Sequence, residues 1–360
     1  MSIQVSYKKQ GLFGIILVII LLSSIEVSMK IYDFYSPNCK FIESDVFNKL
    51  SFEIKRQICE DNSKLIWNNY PMYLIPNQHF STININSQGF RGDEIQENPD
   101  YRIFVIGGST TFGVGTTTDN ETIPSHLQQI ITKNFSEKRI EVINAGIPMA
   151  YSNPEKYLIE NTLLKYEPNL LIIYDGWNDI ERDYEQYDNS IDPNFMYLIV
   201  QEIFRMDIST PKVLLKWYFN YKHDTVDTIV FNSEKINQKV SLWVNSWENI
   251  CGLQKKHDFK TIIFLQPLLG TGNKELSNEE QEHAIYYDVK VRNQNYELYA
   301  NALDKIDLTC TASFDLRNGF DSHPETIYFD SGHVGDKGNE IIAEKIYEKM
   351  LPIMIKDIKK

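Results

Sequence analysis

Five short, almost uninterrupted apolar runs, separated by stretches with helical periodicity, constrain this chain more than any other feature. They cover residues 102–106, 140–143, 170–174, 261–265 and, more briefly, 314–316. A strand that is apolar on both faces must be covered on both, so runs of this kind alternating with helices predict a parallel sheet between two helical layers. Right-handed crossovers then bring any site to the carboxyl ends of the strands. With 360 residues and 42% apolar content, the chain can bury a sizeable core in one large domain with attachments.

The segments that follow these runs carry chemistry. The first run leads into Ile106-Gly107-Gly108-Ser109-Thr110-Thr111-Phe112-Gly113, where two glycines allow a sharp strand-to-helix turn that exposes one hydroxyl. A phosphate-binding loop would need a lysine after Gly113, and none is there. The second run ends in Asn144-Ala145-Gly146, the third in Asp175-Gly176-Trp177-Asn178-Asp179, and Asp330-Ser331-Gly332-His333 precedes a helix expected over 339–350. Taken singly, each has an ordinary explanation: a helix N-cap at Ser109, a turn at Gly146, an Asx-turn at Asn178, a polar loop at His333. Asp321 with His323 is a competing acid–imidazole pair, but a spacing of two sends side chains to opposite sides of an extended segment.

In this order the four blocks resemble those of the SGNH family, the GDSL-type esterases and lipases, and the resemblance covers the chain from Arg102 to about Met350. The stretch Asn86-Ser87-Gln88-Gly89-Phe90-Arg91-Gly92 is similar to a lead-in found in membrane-associated members. Two positions depart from the pattern: Gly108 stands where many members have aspartate, and Val334 where proline is common. The resemblance implies an α/β fold, a three-layer α/β/α sandwich on a five-stranded, flavodoxin-like parallel sheet. It also implies a serine hydrolase acting on ester bonds, with Ser109 as nucleophile, His333 as general base and acid, and Asp330 orienting the imidazole. The oxyanion hole would comprise the Ser109 N–H, the Gly146 N–H and the Asn178 amide. Such acyl chemistry calls for no cofactor and no metal.

At the N-terminus, Lys8 and Lys9 precede an apolar stretch over 11–25 broken only by Ser23 and Ser24. It lies between a signal-peptide core and a full span in length, and a cut after Ser24 would place bulky Leu22 at the third residue upstream. An uncleaved anchor is therefore expected ahead of a removed signal peptide, with the catalytic part outside the cytoplasm by the positive-inside rule. A net charge of −13 argues against a nucleic-acid partner. Four cysteines, Cys39, Cys59, Cys251 and Cys310, suit an exported chain, and sequence separation suggests the pairs Cys39–Cys59 and Cys251–Cys310.

The expected organisation is an anchor or signal segment over 1–30, a helical and extended arm over 31–100, and a hydrolase domain over 101–355. In the arm, Ser44 caps a helix over 44–59, and 70–92 is extended segments and turns. An aromatic-rich insertion at about 183–228 is read as the core of a small helical subdomain, with a wall over the site as the alternative. Further helices are expected over 232–256 and 279–301. The function expected is an extracytoplasmic esterase removing an acyl group, acetyl first, from a glycan or other small polar ester. An O-acyltransferase with the same triad, or a surface binding or assembly protein without turnover, are the alternatives. Oligomeric state is left open.

Overall fold

The computed structural model describes residues 6–35, 39–69, 71–181, 199–200, 202–223 and 233–358. The elements that position the site are α1 (Tyr7–Tyr35), α2 (Phe52–Lys64), β1 (Tyr101–Gly107), α3 (Ile123–Asn134), β2 (Ile140–Gly146), α4 (Ser152–Asn161) and β3 (Leu170–Asp175). After these come α5 (Ser209–His223), α6 (Ser233–Gly252), β4 (Lys260–Leu265), α7 (Asn278–Tyr286), α8 (Val289–Ile306), β5 (Ala312–Asp315) and α9 (Asp336–Ile358).

The five strands form one sheet in the order β2-β1-β3-β4-β5, every neighbouring pair parallel. This is the flavodoxin-like sandwich that the resemblance implies. The apolar runs are continuous because both faces are covered. Phe104, Ile106, Leu171, Ile173, Ile263 and Leu265 point into one core with Ile159 of α4, Trp243 and Trp247 of α6, and Tyr296 and Tyr299 of α8. Ile103, Val105, Leu170, Ile172, Ile262 and Phe264 point into the other, against Leu127 and Ile131 of α3 and Ile342, Ile346 and Met350 of α9. Full burial of each such side chain is worth about 1.5–3 kcal/mol, so a polar residue in any central strand would cost a large share of domain stability. Register aligns the carboxyl ends: Gly107 of β1 lies opposite Gly146 of β2 and Tyr174 of β3.

Three local expectations change. Ser44 caps only a short 3-10 turn, Asp45–Phe47, and Ser51 starts α2 afresh by accepting from the Ile54 N–H. Two competing caps seven residues apart divide what reads as one amphipathic pattern. Phe47 and Ile58 are buried, but Ile54 is exposed. The 279–301 stretch divides into α7, opened by a reciprocal Ser277/Glu280 capping box, and α8, with Asp288 at φ 43° between them. The expected 232–256 helix is likewise α6 followed by the short turn of helix Gln254–His257.

Residues 70–92 are extended and turn-rich where described, pairing Trp67–Asn69 with Met72–Leu74 and Gln78–His79 with Asn84–Ile85. All four cysteines are in disulfides. Cys251 at the end of α6 is bonded to Cys310 just before β5. α1 and α5 belong to a compact unit separate from the one that begins at Lys40. α1 buries none of its residues and is long and apolar enough to cross a membrane. Of the insertion's aromatics, Tyr184, Tyr187, Phe195 and Tyr197 lie outside the described residues, whereas Trp217 and Tyr218 are exposed.

Candidate active site

The turn that carries Ser109 is built from close approaches. A Cβ on Gly107 would lie 2.2 Å from Thr111 Oγ1 and 2.3 Å from the Tyr174 carbonyl oxygen, and one on Gly108 would lie 2.4 Å from Asn178 Nδ2. A side chain at position 108 would thus press on the Asn178 amide. Ser109 opens the four-residue helix Ser109–Phe112, which Gly113 ends at φ 93°. The far end of that helix is bolted down from two sides. Arg91 donates to the Phe112 and Gly113 carbonyls at 3.0 and 2.8 Å, and Asn144 Nδ2 donates to Phe112 at 3.1 Å. Arg91 is itself buried, paired with Asp119 at 2.7 Å. The arm that precedes the domain thus fixes the orientation of Ser109.

The imidazole comes from a tight hairpin, 329–333, closed by the Phe329 N–H donating to the His333 carbonyl at 3.1 Å. Asp330 Oδ1 accepts the Gly332 and His333 N–H groups at 2.9 and 2.7 Å, which leaves Oδ2 facing His333 Nδ1 at 2.6 Å. On the other side of the ring, His333 Nε2 lies 2.7 Å from Ser109 Oγ. Burial pushes the Asp330 carboxyl up, but the His333 charge and these three hydrogen bonds outweigh it and hold it below its ordinary range. An ionised Oδ2 needs a donor, so the proton sits on Nδ1 and Nε2 is free to accept from the serine. The ring is clamped by Phe329, stacked at 5.5 Å, and by the edge of Trp177 at 4.8 Å. Gly332 makes the second contact possible, since a Cβ there would lie 2.6 Å from Trp177. The competing pair falls elsewhere: His323 faces Glu325, and Asp321 accepts from Asn273.

Asn178 sits at the start of the helix after β3 and donates through Nδ2 to the Ala150 carbonyl at 2.6 Å. One amide proton is thereby used for positioning and the other remains. The Ser109 N–H is the first of its helix and has no intrahelical acceptor. Gly146 does not fit the donor role expected of it. Its N–H donates to Asn144 Oδ1 at 3.0 Å, and its small size serves packing, because a Cβ there would lie 2.3 Å from the Phe112 nitrogen. Further along the loop, Ile147 donates to Gly107, Pro148 has no N–H, and Ala150 donates to Ile147, whereas among the described residues the Met149 N–H has no backbone acceptor. Met149 is half exposed and has φ 69°, a conformation that favours glycine.

Sequence reasoning also missed the residues that brace the site. Arg292 of α8 is buried, donates to the Ser331 and Leu269 carbonyls at 3.3 and 3.1 Å, and pairs with Glu181 at 3.6 Å. It thus links the imidazole hairpin to the helix that carries Asn178. Asp179 accepts from the Ser152 N–H and hydroxyl, fixing the loop before α4. Its neighbour Glu155 is fully buried with no hydrogen-bond partner for either carboxyl oxygen among the described residues, and burial, then the Asp179 charge, raise its pKa well above the ordinary value. Only the Arg91 lead-in carried a signal in the sequence, and that signal did not say what the guanidinium would hold.

No family model matches the sequence, and no curated protein matches it. Solved structures to which the chain is similar include an acetyl xylan esterase, AlAXEase, at 15% identity over 69% of this chain and 98% of that one, with a TM-score of 0.41. An alpha/beta hydrolase enzyme from the Lake Arreo metagenome is similar at 14% identity over 69% and 94%, TM-score 0.41. An acetylxylan esterase from Geobacillus stearothermophilus is similar at 13% identity over 69% and 94%, TM-score 0.40. Likeness at this level has no bearing on reaction or substrate.

Proposed function

We propose that the protein is a serine esterase of the SGNH type, anchored by α1 with its catalytic part outside the cytoplasm. The observation that carries this is the unbroken chain from Ser109 Oγ through His333 to Asp330, at 2.7 and 2.6 Å. Ser109 attacks the acyl carbonyl carbon while its proton passes to Nε2, and Asp330 stabilises the imidazolium. The negative charge that develops on the carbonyl oxygen is met by the Ser109 N–H and the second Asn178 amide proton. Collapse of this intermediate breaks the ester C–O bond, and the alcohol leaves with the proton from His333. Water then adds to the acyl-serine by the same route, regenerating the hydroxyl and releasing the carboxylic acid.

A short acyl group on a polar or glycan alcohol is the substrate class we assign. Tyr286 and Tyr287 at the end of α7 are exposed aromatic faces. Tyr287 stands in the field of the site: its pKa is pushed up to about 12 by burial and by Asp330, Tyr286 and Glu181. Rings placed there suit stacking on a sugar. The outward orientation is supported by the lysines before α1 and by the fully disulfide-bonded cysteines.

Full-length protein in detergent, assayed with p-nitrophenyl acetate and butyrate and then with acetylated oligosaccharides, tests the reading. Release that disappears in Ser109→Ala supports it. Equal rates for wild type and Ser109→Ala on every ester would refute it.

A further inference from the structure

The unit formed by α1 and α5 holds a carboxylate close to where the span expected of α1 ends. Glu26 directly follows the apolar stretch 11–25, whose 15 residues rise only about 22 Å against a hydrocarbon core of about 30 Å. With the inner boundary at Lys9, a span of about 20 residues runs to roughly Met29, which leaves Glu26 about 5 Å inside the outer boundary. A carboxylate at such a depth must find donors within the protein.

It finds them on α5. Glu26 Oε1 accepts the Ser209 N–H at 2.6 Å, and Oε2 accepts the Thr210 N–H at 3.0 Å and its hydroxyl at 2.7 Å. One helix thus caps the N-terminus of the other. Seven residues further along each, Asp33 meets Lys216 at 2.5 Å, and beside this pair Tyr32 packs edge-on against Trp217 at 5.7 Å. Equal steps on both helices mean that α1 and α5 run side by side in the same direction, with the first residues of α5 level with Glu26. The chain just before α5 therefore meets α1 between the level of Glu26 and that of Lys30, at the outer boundary. Met206 and Ile208 in this segment are exposed. Between them Asp207 meets Lys30 at 3.6 Å, one turn above Glu26.

We infer that the segment entering α5, with Met206 and Ile208, is a second membrane contact, drawn into the outer-leaflet interface by the Glu26 cap. The occupant of this apolar surface is lipid, argued from its depth and from its continuity with the apolar face of α1. The inference rests on reading α1 as a membrane span.

Full-length protein is reconstituted in phosphatidylcholine–phosphatidylglycerol vesicles with a nitroxide label at Leu17→Cys or Ile208→Cys. Label collisions with oxygen, enriched in lipid, are compared with collisions with a water-soluble nickel chelate. Lipid-type accessibility is expected at both positions. At position 208 it is expected to be lost when Glu26→Ala is added and kept with Glu26→Gln, whose amide oxygen still accepts from the helix N-terminus. Lipid accessibility at 17 with water accessibility at 208 overturns the inference and leaves the anchor standing. Water accessibility at 17 overturns the anchor and the inference with it. A lipid-facing 208 that ignores Glu26→Ala overturns the role of the cap.

Discussion

Asp330→Asn tests the site most sharply, because the outcome follows from how the carboxylate divides its two oxygens. Oδ1 is held by two backbone N–H groups, from Gly332 and His333. An asparagine must therefore keep its carbonyl oxygen in that position and turn its amide toward His333 Nδ1. The amide can only donate, so the imidazole must carry its proton on Nε2, and the nitrogen facing Ser109 becomes a donor where an acceptor is needed. To act, the ring must reverse its tautomer against an opposed donor, at about 1–3 kcal/mol, and forgo a charge-assisted hydrogen bond worth about 1.5–3 kcal/mol. A sum near 4–5 kcal/mol corresponds to a roughly 10³–10⁴-fold loss of kcat, the same order as the loss of about 10⁴ known for this change in a Ser-His-Asp protease. The hairpin keeps its shape, so KM and the thermal midpoint are expected to stay near wild type. Initial rates on p-nitrophenyl acetate, with Ser109→Ala as the floor, measure the effect. A loss of less than about tenfold would refute the tautomer argument and the assignment of Asp330 that rests on it.

Other perturbations address the remaining elements. Asn178→Ala is expected to lower kcat by roughly 10²–10³-fold with little change in fold, read by kinetics alongside circular dichroism. Gly146→Ala should instead destabilise the domain, since its methyl group would collide with the Phe112 backbone; wild-type stability with a large selective loss of kcat would restore Gly146 to the oxyanion hole. Arg292→Ala should lower kcat by at least about tenfold with KM little changed, and Arg292→Lys should recover part of it. An effect confined to the thermal midpoint would make Arg292 a purely structural residue. Glu155 has a raised folded pKa, so the folded state holds a proton that the unfolded chain releases above about pH 4.3, and stability falls as pH rises from there. Glu155→Gln should therefore raise the thermal midpoint at pH 8 and lose that advantage near pH 4, and no gain at pH 8 would contradict the proposed burden. Replacing Cys251 and Cys310 with serine removes a bridge between residues 59 apart in sequence, a loss of about 4 kcal/mol in the chain-entropy view, measurable by urea unfolding.

Much of the architecture is legible in the residues because it follows from short-range pattern. A strand covered on both faces has to be apolar throughout, so all five sheet strands can be read to within three residues at either end; the edge strand β5, Ala312–Asp315, is less completely buried and begins two residues before its expected place at 314–316. The placement of the serine, asparagine and aspartate–histidine blocks is legible too, since each stands directly after a strand or before a helix. The division of one amphipathic stretch at Ser51, and of another at Asp288, is not, because periodicity continues across a break that a cap or a left-handed residue decides.

What the sequence by itself determined is the layered α/β scheme, the carboxyl-edge location of the loops and the residue types they present. Only the tertiary structure decided how the hydrogen bonds are shared out. The Gly146 N–H is used by Asn144, the Phe112 and Gly113 carbonyls by Arg91, and the Ser331 carbonyl by Arg292. The last two contacts join positions 21 to 39 residues apart. A donor's availability depends on every acceptor that folding brings within about 3 Å of it, and no local pattern of residues encodes that distance.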